Sequence, residues 1–186
     1  KMIADLTRHT GAVYSAVFSP DAKKIVTASL DKTAKIWDVQ SGKIIADLTG
    51  HQGFVYSAEF SPDGKNIVTT SRDNTAKIWD AQTGKLIADL SEHRGLINSA
   101  VYSPDGKKIV TASDDNTAKI WDAQSGKKIA DLTGHQRSVN SAVFSPDGKK
   151  IVTASWDKTA KIWLSPEGII DWLDNSNISR LSQKGF

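Results

Sequence analysis

The chain's 186 residues are 39% apolar with a formal net charge of +3, enough to bury a real core in one domain. Cysteine is absent, which excludes a disulfide framework and a Cys-ligated metal site and is compatible with a reducing, cytoplasmic compartment. No apolar run approaches the ~18 residues that cross a bilayer, and Lys35, Lys77, Lys119 and Lys161 recur at one interval instead of clustering as nucleic-acid binding requires.

The chain opens Lys1-Met2-Ile3 in mid-repeat, with no signal-peptide pattern, as a piece of a longer sequence would. Ile3 to Leu6 reads as a strand. His9, His51, His93 and His135 then stand 42 residues apart, as do Asp31, Asp73, Asp115 and Asp157, and Trp37, Trp79, Trp121 and Trp163. A period of this length is that of a stacked array of small β-sheets. The copy from Lys43 to Gly84 shows how each unit is built. Ile44 to Leu48 predicts a strand ended by Thr49-Gly50-His51, and Val55 to Phe60 predicts a second, closed by Ser61-Pro62-Asp63-Gly64. In that turn Pro presets φ and Gly accepts the positive φ that follows. Ile67 to Ser71 is the third strand, Arg72-Asp73-Asn74 a tight turn, and Thr75 to Trp79 the fourth strand, closed by Gln82-Thr83-Gly84. Each apolar run is short and ends in Pro, Gly or Asn-Asp, which argues against helix. The expected class is all-β.

Three positions depart from the repeat. Asp21-Ala22 replaces the Asp-Gly of the other hairpins, so Ala22 must take a positive φ at about 1 kcal/mol or the turn must differ. Glu59 stands where Val17, Val101 and Val143 stand, which puts a carboxylate on a strand facing a neighbouring unit and marks a pocket, a wet central channel or a strand end. Leu164 replaces the Asp that follows the other repeat tryptophans, so the chain leaves the array there. Ser165-Pro166-Glu167 then predicts a helix start with a capping Ser. Ile169, Ile170, Trp172 and Leu173 form its apolar stripe, Asp174-Asn175-Ser176-Asn177 ends it, and a weaker segment with Ile178 and Leu181 precedes a polar end.

Thr49-Gly50-His51, Ser71-Arg72-Asp73 and Ile78-Trp79-Asp80, with their equivalents, resemble the WD-repeat family of β-propellers over residues 1 to about 163. The close similarity of the copies and the helical tail resemble bacterial members. The resemblance implies a propeller of four four-stranded antiparallel WD-type blades. These would span 13–48, 55–90, 97–132 and 139–163, the last completed by strand 1–6 of the same or a second chain, with residues 164–186 as a helical tail. It also implies a hydrogen-bonded tetrad in each blade: His9, Ser29, Asp31 and Trp37; His51, Ser71, Asp73 and Trp79; His93, Ser113, Asp115 and Trp121; His135, Ser155, Asp157 and Trp163. The Thr two residues before each Ser points to the same side of its strand and could share that role.

Four equivalent His-Asp sets are architecture, whereas a catalytic site needs one unique convergence of groups. No HExxH, GxSxG or phosphate-cradling Gly loop is present, so no catalytic residue, metal or cofactor is expected. The informative positions are those where the copies disagree. Leu30, Arg72, Asp114 and Trp156 occupy one slot, and Ala12, Phe54, Leu96 and Ser138 another, followed by Tyr14, Tyr56, Asn98 and Asn140. In the family these lie on the face that most often holds partners, and Phe, Tyr, Trp and Arg anchor interfaces. The expected function is a non-enzymatic scaffold that presents this face to a protein or peptide. The alternatives are a structural or sensor module of a larger signalling protein, or a propeller that binds a small ligand or catalyses in its channel. Blades of this family close in sevens or eights. The favoured arrangement is therefore a homodimer of two half-rings, eight blades in all, since bare strand edges invite aggregation; a four-bladed ring and a fragment of a larger ring are the other possibilities.

Overall fold

The computed structural model describes residues 2–182. Three four-stranded antiparallel sheets are built from β1 (Val13–Phe18), β2 (Lys24–Ser29), β3 (Ala34–Asp38) and β4 (Ile44–Leu48); β5 (Val55–Phe60), β6 (Asn66–Ser71), β7 (Ala76–Asp80) and β8 (Leu86–Leu90); and β9 (Ile97–Tyr102), β10 (Lys108–Ser113), β11 (Thr117–Asp122) and β12 (Lys128–Thr133). A fourth sheet has three strands, β13 (Val139–Phe144), β14 (Lys150–Ser155) and β15 (Ala160–Leu164). Each sheet is a meander, so every strand pairs with its neighbour in sequence. These are four blades, as the periodicity predicts.

The turns explain the meander. In the first hairpin Ser19 Oγ donates to Asp21 Oδ1 at 2.6 Å and accepts from Lys24 N at 2.9 Å, while Asp21 Oδ1 accepts from Lys23 N at 3.1 Å. The residue after the Asp is left-handed in all four blades: φ is +70° to +72° at Gly64, Gly106 and Gly148, and +56° at Ala22. The first blade therefore keeps the turn and bears the strain of a Cβ there.

Three apolar cores form, and each lies between blades. Val26, Ala28, Ala34, Ile36 and Leu48 of blade 1 bury against Val55, Ala58, Phe60 and Ile67 of blade 2, and the same positions repeat at the next two junctions. One face of each sheet thus packs on the blade before it and the other on the blade after. Such blades are stable as neighbours, not alone.

Two expectations need correction. Residues 2–6 are not a strand; the sheets do not close into a ring within the chain, so the alternative of a four-bladed ring is not what forms. A strand exists only through its ladder, and residues 2–6 pair with no strand of this chain. At the other end one helix, α1 (Pro166–Ser182), runs through Asp174-Asn175-Ser176-Asn177 without a break. Asn, Ser and Asp are only mildly unfavourable in a helix, and no Gly or Pro stands there to stop it. The side chains of Ile178 and Leu181, and the polar end 183–186, lie outside the described residues, as does Lys1.

Ser165 is fully buried and caps α1: its Oγ accepts from Gly168 N at 3.1 Å and its carbonyl from Ile169 N at 2.9 Å. The helix sits under the last two blades through the ion pairs Lys108–Glu167 and Lys149–Asp171, the latter at 3.2 Å. A Cβ on Gly168 would lie 2.0 Å from the Lys149 carbonyl oxygen, so glycine sets how closely the helix approaches.

Candidate interaction surface

Beneath the surface each blade carries one polar network. In blade 3, His93 Nδ1 meets Asp115 Oδ2 at 2.7 Å and Nε2 meets Thr111 Oγ1 at 2.7 Å, while Trp121 Nε1 donates to Thr111 Oγ1 at 2.8 Å. The other blades repeat it with Thr27, Thr69 and Thr153. The hydroxyl between imidazole and indole is thus threonine's, a correction to the expected Ser29, Ser71, Ser113 and Ser155. Each Ser Oγ instead accepts from the backbone N–H of the turn Asp, at 3.1 Å. The reason is position. The threonine sits two residues deeper in its strand, level with the Trp side chain, while the serine sits at the turn.

The turn aspartate is more heavily bonded than the sequence suggests. Asp73 Oδ1 accepts from Thr75 Oγ1 at 2.6 Å and Thr75 N at 3.0 Å, and Oδ2 accepts from Gln52 N at 2.8 Å. Thr33, Thr117 and Thr159 do the same in their blades. These threonines were missed; the recurring Asp-x-Thr was the available signal. Burial pushes Asp73 upward, but the bonds from Thr75, Gln52 N and His51 outweigh it and hold the carboxyl at about 2. Asp31 and Asp115 are held low in the same way, and so is Asp157, where the Thr159 bond leads. Burial pulls His51 below its usual value, partly countered by Asp73. A neutral imidazole therefore donates from Nδ1 to the carboxylate and accepts the Thr hydroxyl at Nε2. Both nitrogens are committed within the blade. Among the described residues no group of three or more His, Asp or Glu is disposed to hold a metal.

On this support stands the variable rim. Leu30 N bonds Ala12 O, Arg72 N bonds Phe54 O, Asp114 N bonds Leu96 O, and Trp156 N bonds Ser138 O, at 2.9–3.0 Å. The two slots that differ between copies are therefore side by side in every blade. Across blades 1 and 2, Tyr14 and Tyr56 meet edge to face with ring centroids 5.4 Å apart, and the Arg72 guanidinium lies 5.8 Å from the Phe54 ring centroid. Across blades 3 and 4, Asn98 Nδ2 donates to Asp114 Oδ1 at 2.8 Å and to Val139 O at 3.0 Å, and Ser138 bonds the same carboxylate. Tyr14, Arg72, Asp114, Asn140 and Trp156 are exposed; Leu30, Phe54, Tyr56, Leu96 and Asn98 are half-buried. One half of the rim is aromatic with a cation, the other amide and carboxylate. Trp156 projects beyond them.

Glu59 is not on this rim. It is half-buried opposite Val68 on β6, where burial raises its pKa. Val17 and Val101 occupy that position at the first and third cores. At the second, Phe60 and Phe144 of the other junctions are matched by Tyr102, whose buried hydroxyl has no hydrogen-bond partner among the described residues. Replacing both, Glu59→Val with Tyr102→Phe, restores the apolar junction. It is expected to raise stability by about 1–3 kcal/mol, read from urea midpoints at pH 7. A midpoint that stays or falls would mean the polar pair is satisfied.

A profile described as the TolB beta propeller domain matches residues 2–177. Shorter stretches are similar to WD-repeat proteins. Denticleless protein homolog B of Xenopus laevis is 42% identical over 43 residues, 23% of this chain and 6% of that protein. WD repeat-containing protein 1 of Gallus gallus is 47% identical over 36 residues, 19% and 6% of the two. The mRNA export factor of Sus scrofa is 51% identical over 35 residues, 19% and 10%. Each similarity spans about one blade, and the chain covers no more than a tenth of the length of these relatives. No described helix is long and apolar enough to cross a membrane.

Proposed function

The chain belongs to the TolB β-propeller domain family, and from that premise we propose that it is a non-enzymatic scaffold that captures a protein or peptide on its variable rim. The observation that carries this reading is the pairing of a fixed support with a changing surface. Four nearly identical networks hold four identical turns, and on those turns stand Leu30, Arg72, Asp114 and Trp156. An exposed Trp at one end of the rim and an Arg–Phe stack with a Tyr pair at the other are the chemistry of interface anchors. The WD-repeat similarity and the commitment of every network histidine inside its blade support a scaffold over an enzyme, and no nucleic-acid, membrane or cofactor role is needed.

The test removes anchors without touching support. Trp156→Ala with Arg72→Ala is expected to abolish partner capture from a lysate of the source cell, while the unfolding midpoint shifts by no more than about 0.5 kcal/mol equivalent. Capture at the level of the unaltered chain would sink the reading.

The same reading includes a bacterial-type array in the cytoplasm and a homodimer of two half-rings closing eight blades. The support for the dimer is the bare edge of β15 and the apolar faces left open at both ends of the array. Absolute mass in solution by light scattering tests it. A particle near twice 20.2 kDa, stable to dilution, is expected; a monomer ends the dimer reading.

A further inference from the structure

Between blades 2 and 3 lies a cavity of about 380 Å³, lined by Asn66 and by Ile87, Gly106, Lys107, Asp122, Ala123 and Gln124. Asn66 opens β6, and Arg72 follows its other end, so the cavity lies on the face opposite the variable rim. The six residues beside Asn66 have the same identity 42 residues earlier, at the junction of blades 1 and 2. Asn66 does not, for its counterpart is Lys24. The second is thus the one internal junction without a lysine at this place. The third has Lys108, whose ammonium pairs with Glu167 of α1.

The first junction shows what this place accommodates. Lys24 reaches from blade 1 to blade 2, where its Nζ donates to the Ala81 carbonyl at 2.8 Å. Bonds from Thr83 hold the Asp80 carboxyl below its usual value, and the Lys24 ammonium adds to them. The lysine stem is half-buried, as long cationic side chains are when they lie on apolar surface and send the head to a polar partner. Asparagine carries no ammonium and is too short to span the gap. The Ala123 carbonyl therefore has no counterpart of the Lys24 bond, in surroundings that are otherwise the same.

Nearby cations do not forbid an ammonium here. Asp122 is held low first by Ser125 and least by Lys108, whose own ammonium is committed to Glu167. Lys107 lines the cavity, but its counterpart Lys65 keeps its side chain 79% exposed, and Lys24 still docks beside it. The junction is unusual in other positions too. Glu59, Thr70 and Tyr102 stand in it where the first and third junctions have Val, Ala and Phe. Departures from the repeat gather at this seam, whereas drift would scatter them.

We infer that this cavity is a binding site for a primary alkylammonium group, carried by a free amine or by the lysine side chain of a partner. The alkyl stem lies along Ile87. The ammonium takes the place of the Lys24 head, donating to the Ala123 carbonyl beside the Asp122 carboxylate. Recognition needs a positive charge and an N–H donor together. The site is independent of the rim and stands or falls without it.

n-Butylammonium, which is a lysine side chain without its backbone, is the probe, and the backbone amide resonances of the full chain are the readout. The Gln124 N–H shares a peptide unit with the Ala123 carbonyl, so a hydrogen bond to that oxygen moves its nitrogen. The expected result is a saturable shift at Gln124 and none at Gln82, whose neighbouring carbonyl already holds Lys24. N66K tethers an ammonium in the cavity. It should weaken n-butylammonium about tenfold or more, and by itself move Gln124 in the direction the amine does. K24A empties the first junction and should make Gln82 responsive, so the two variants act in opposite senses at two equivalent places. Putrescine and the peptide acetyl-Gly-Lys-Gly-amide, titrated in parallel, separate the two sources. Tighter binding of the diamine supports a free amine, and tighter binding of the peptide supports a partner's lysine. No shift at Gln124, a shift that n-butyltrimethylammonium reproduces, or one that persists undiminished in N66K overturns the site.

Discussion

Thr111→Val is expected to cost about 3–5 kcal/mol. The substitution keeps the shape of the side chain and removes only its hydroxyl. That hydroxyl accepts from Trp121 Nε1 at 2.8 Å and donates to His93 Nε2 at 2.7 Å. All three residues are buried, so no water replaces what is lost. A buried donor and a buried acceptor are then both left without partners, at about 1–3 kcal/mol each. Thr111→Ser is the control. It keeps the hydroxyl, loses one methyl, and should cost about 1 kcal/mol. Thr27→Val should cost about as much as Thr111→Val, because the His9 side chain, although on the open side of blade 1, is only 3% exposed. Chemical denaturation of the three variants checks the order, and a Thr111→Val loss under 1 kcal/mol would show that the network is not what holds the blade.

The second large effect is acid lability. All four turn aspartates are held below the usual 3.8. The folded protein thus keeps its carboxylates ionised at a pH where the unfolded chain takes up protons. The stability they contribute is present above pH 3.8 and is lost as pH falls toward their folded values, which for Asp73 is about 2. After allowance for residual solvent contact, Asp73 alone contributes about 1–2 kcal/mol, and its three counterparts act in the same direction. His51 adds to this from a higher pH. Its folded value lies below 6.5, so protonation of the unfolded chain begins to draw stability away as pH drops past that point. Glu59, raised by burial, opposes the trend, gaining stability as pH falls through its own raised value. The net expectation is a urea midpoint that is steady above pH 7, declines gently to pH 4 and drops steeply below it. Asp73→Asn should flatten the steep part. A profile level down to pH 3 would mean that these bonds do not persist in solution.

The first prediction rests on a residue whose identity the sequence left open. Thr69 and Ser71 lie two apart on one strand and point the same way, so periodicity alone does not say which faces the indole. Register decides it: Ile67 stands opposite Trp79 and Thr69 opposite Lys77, which leaves the threonine beside the ring and the serine at the turn. The strands and turns were legible because each depends on local chemistry, Pro-Asp-Gly at one corner and Asp-Asn at another. Ala22 was legible too, since one turn type demanded one φ. What depends on distant residues was not. Residues 2–6 have the composition of β8, yet only the latter has a ladder partner. Asn98 and Ser138 are 40 residues apart and share one carboxylate, a junction no local pattern announces. The length of α1 was hidden because Asn and Ser signal a stop only where the surroundings reward one.

The separation of polar networks inside blades from apolar cores between them has a kinetic consequence. Each blade is clamped by its own hydrogen bonds, but the hydrophobic contribution belongs to junctions, and an end blade has one junction where an inner blade has two. In a chain dissociated from its second copy, opening should therefore travel inward from the ends in whole-blade steps. The sheet of three strands, with its outer edge unpaired, is the first to go. Amide exchange would be fastest in β13–β15 and slowest across β6, β7 and β10, a gradient along a chain whose sequence is nearly uniform.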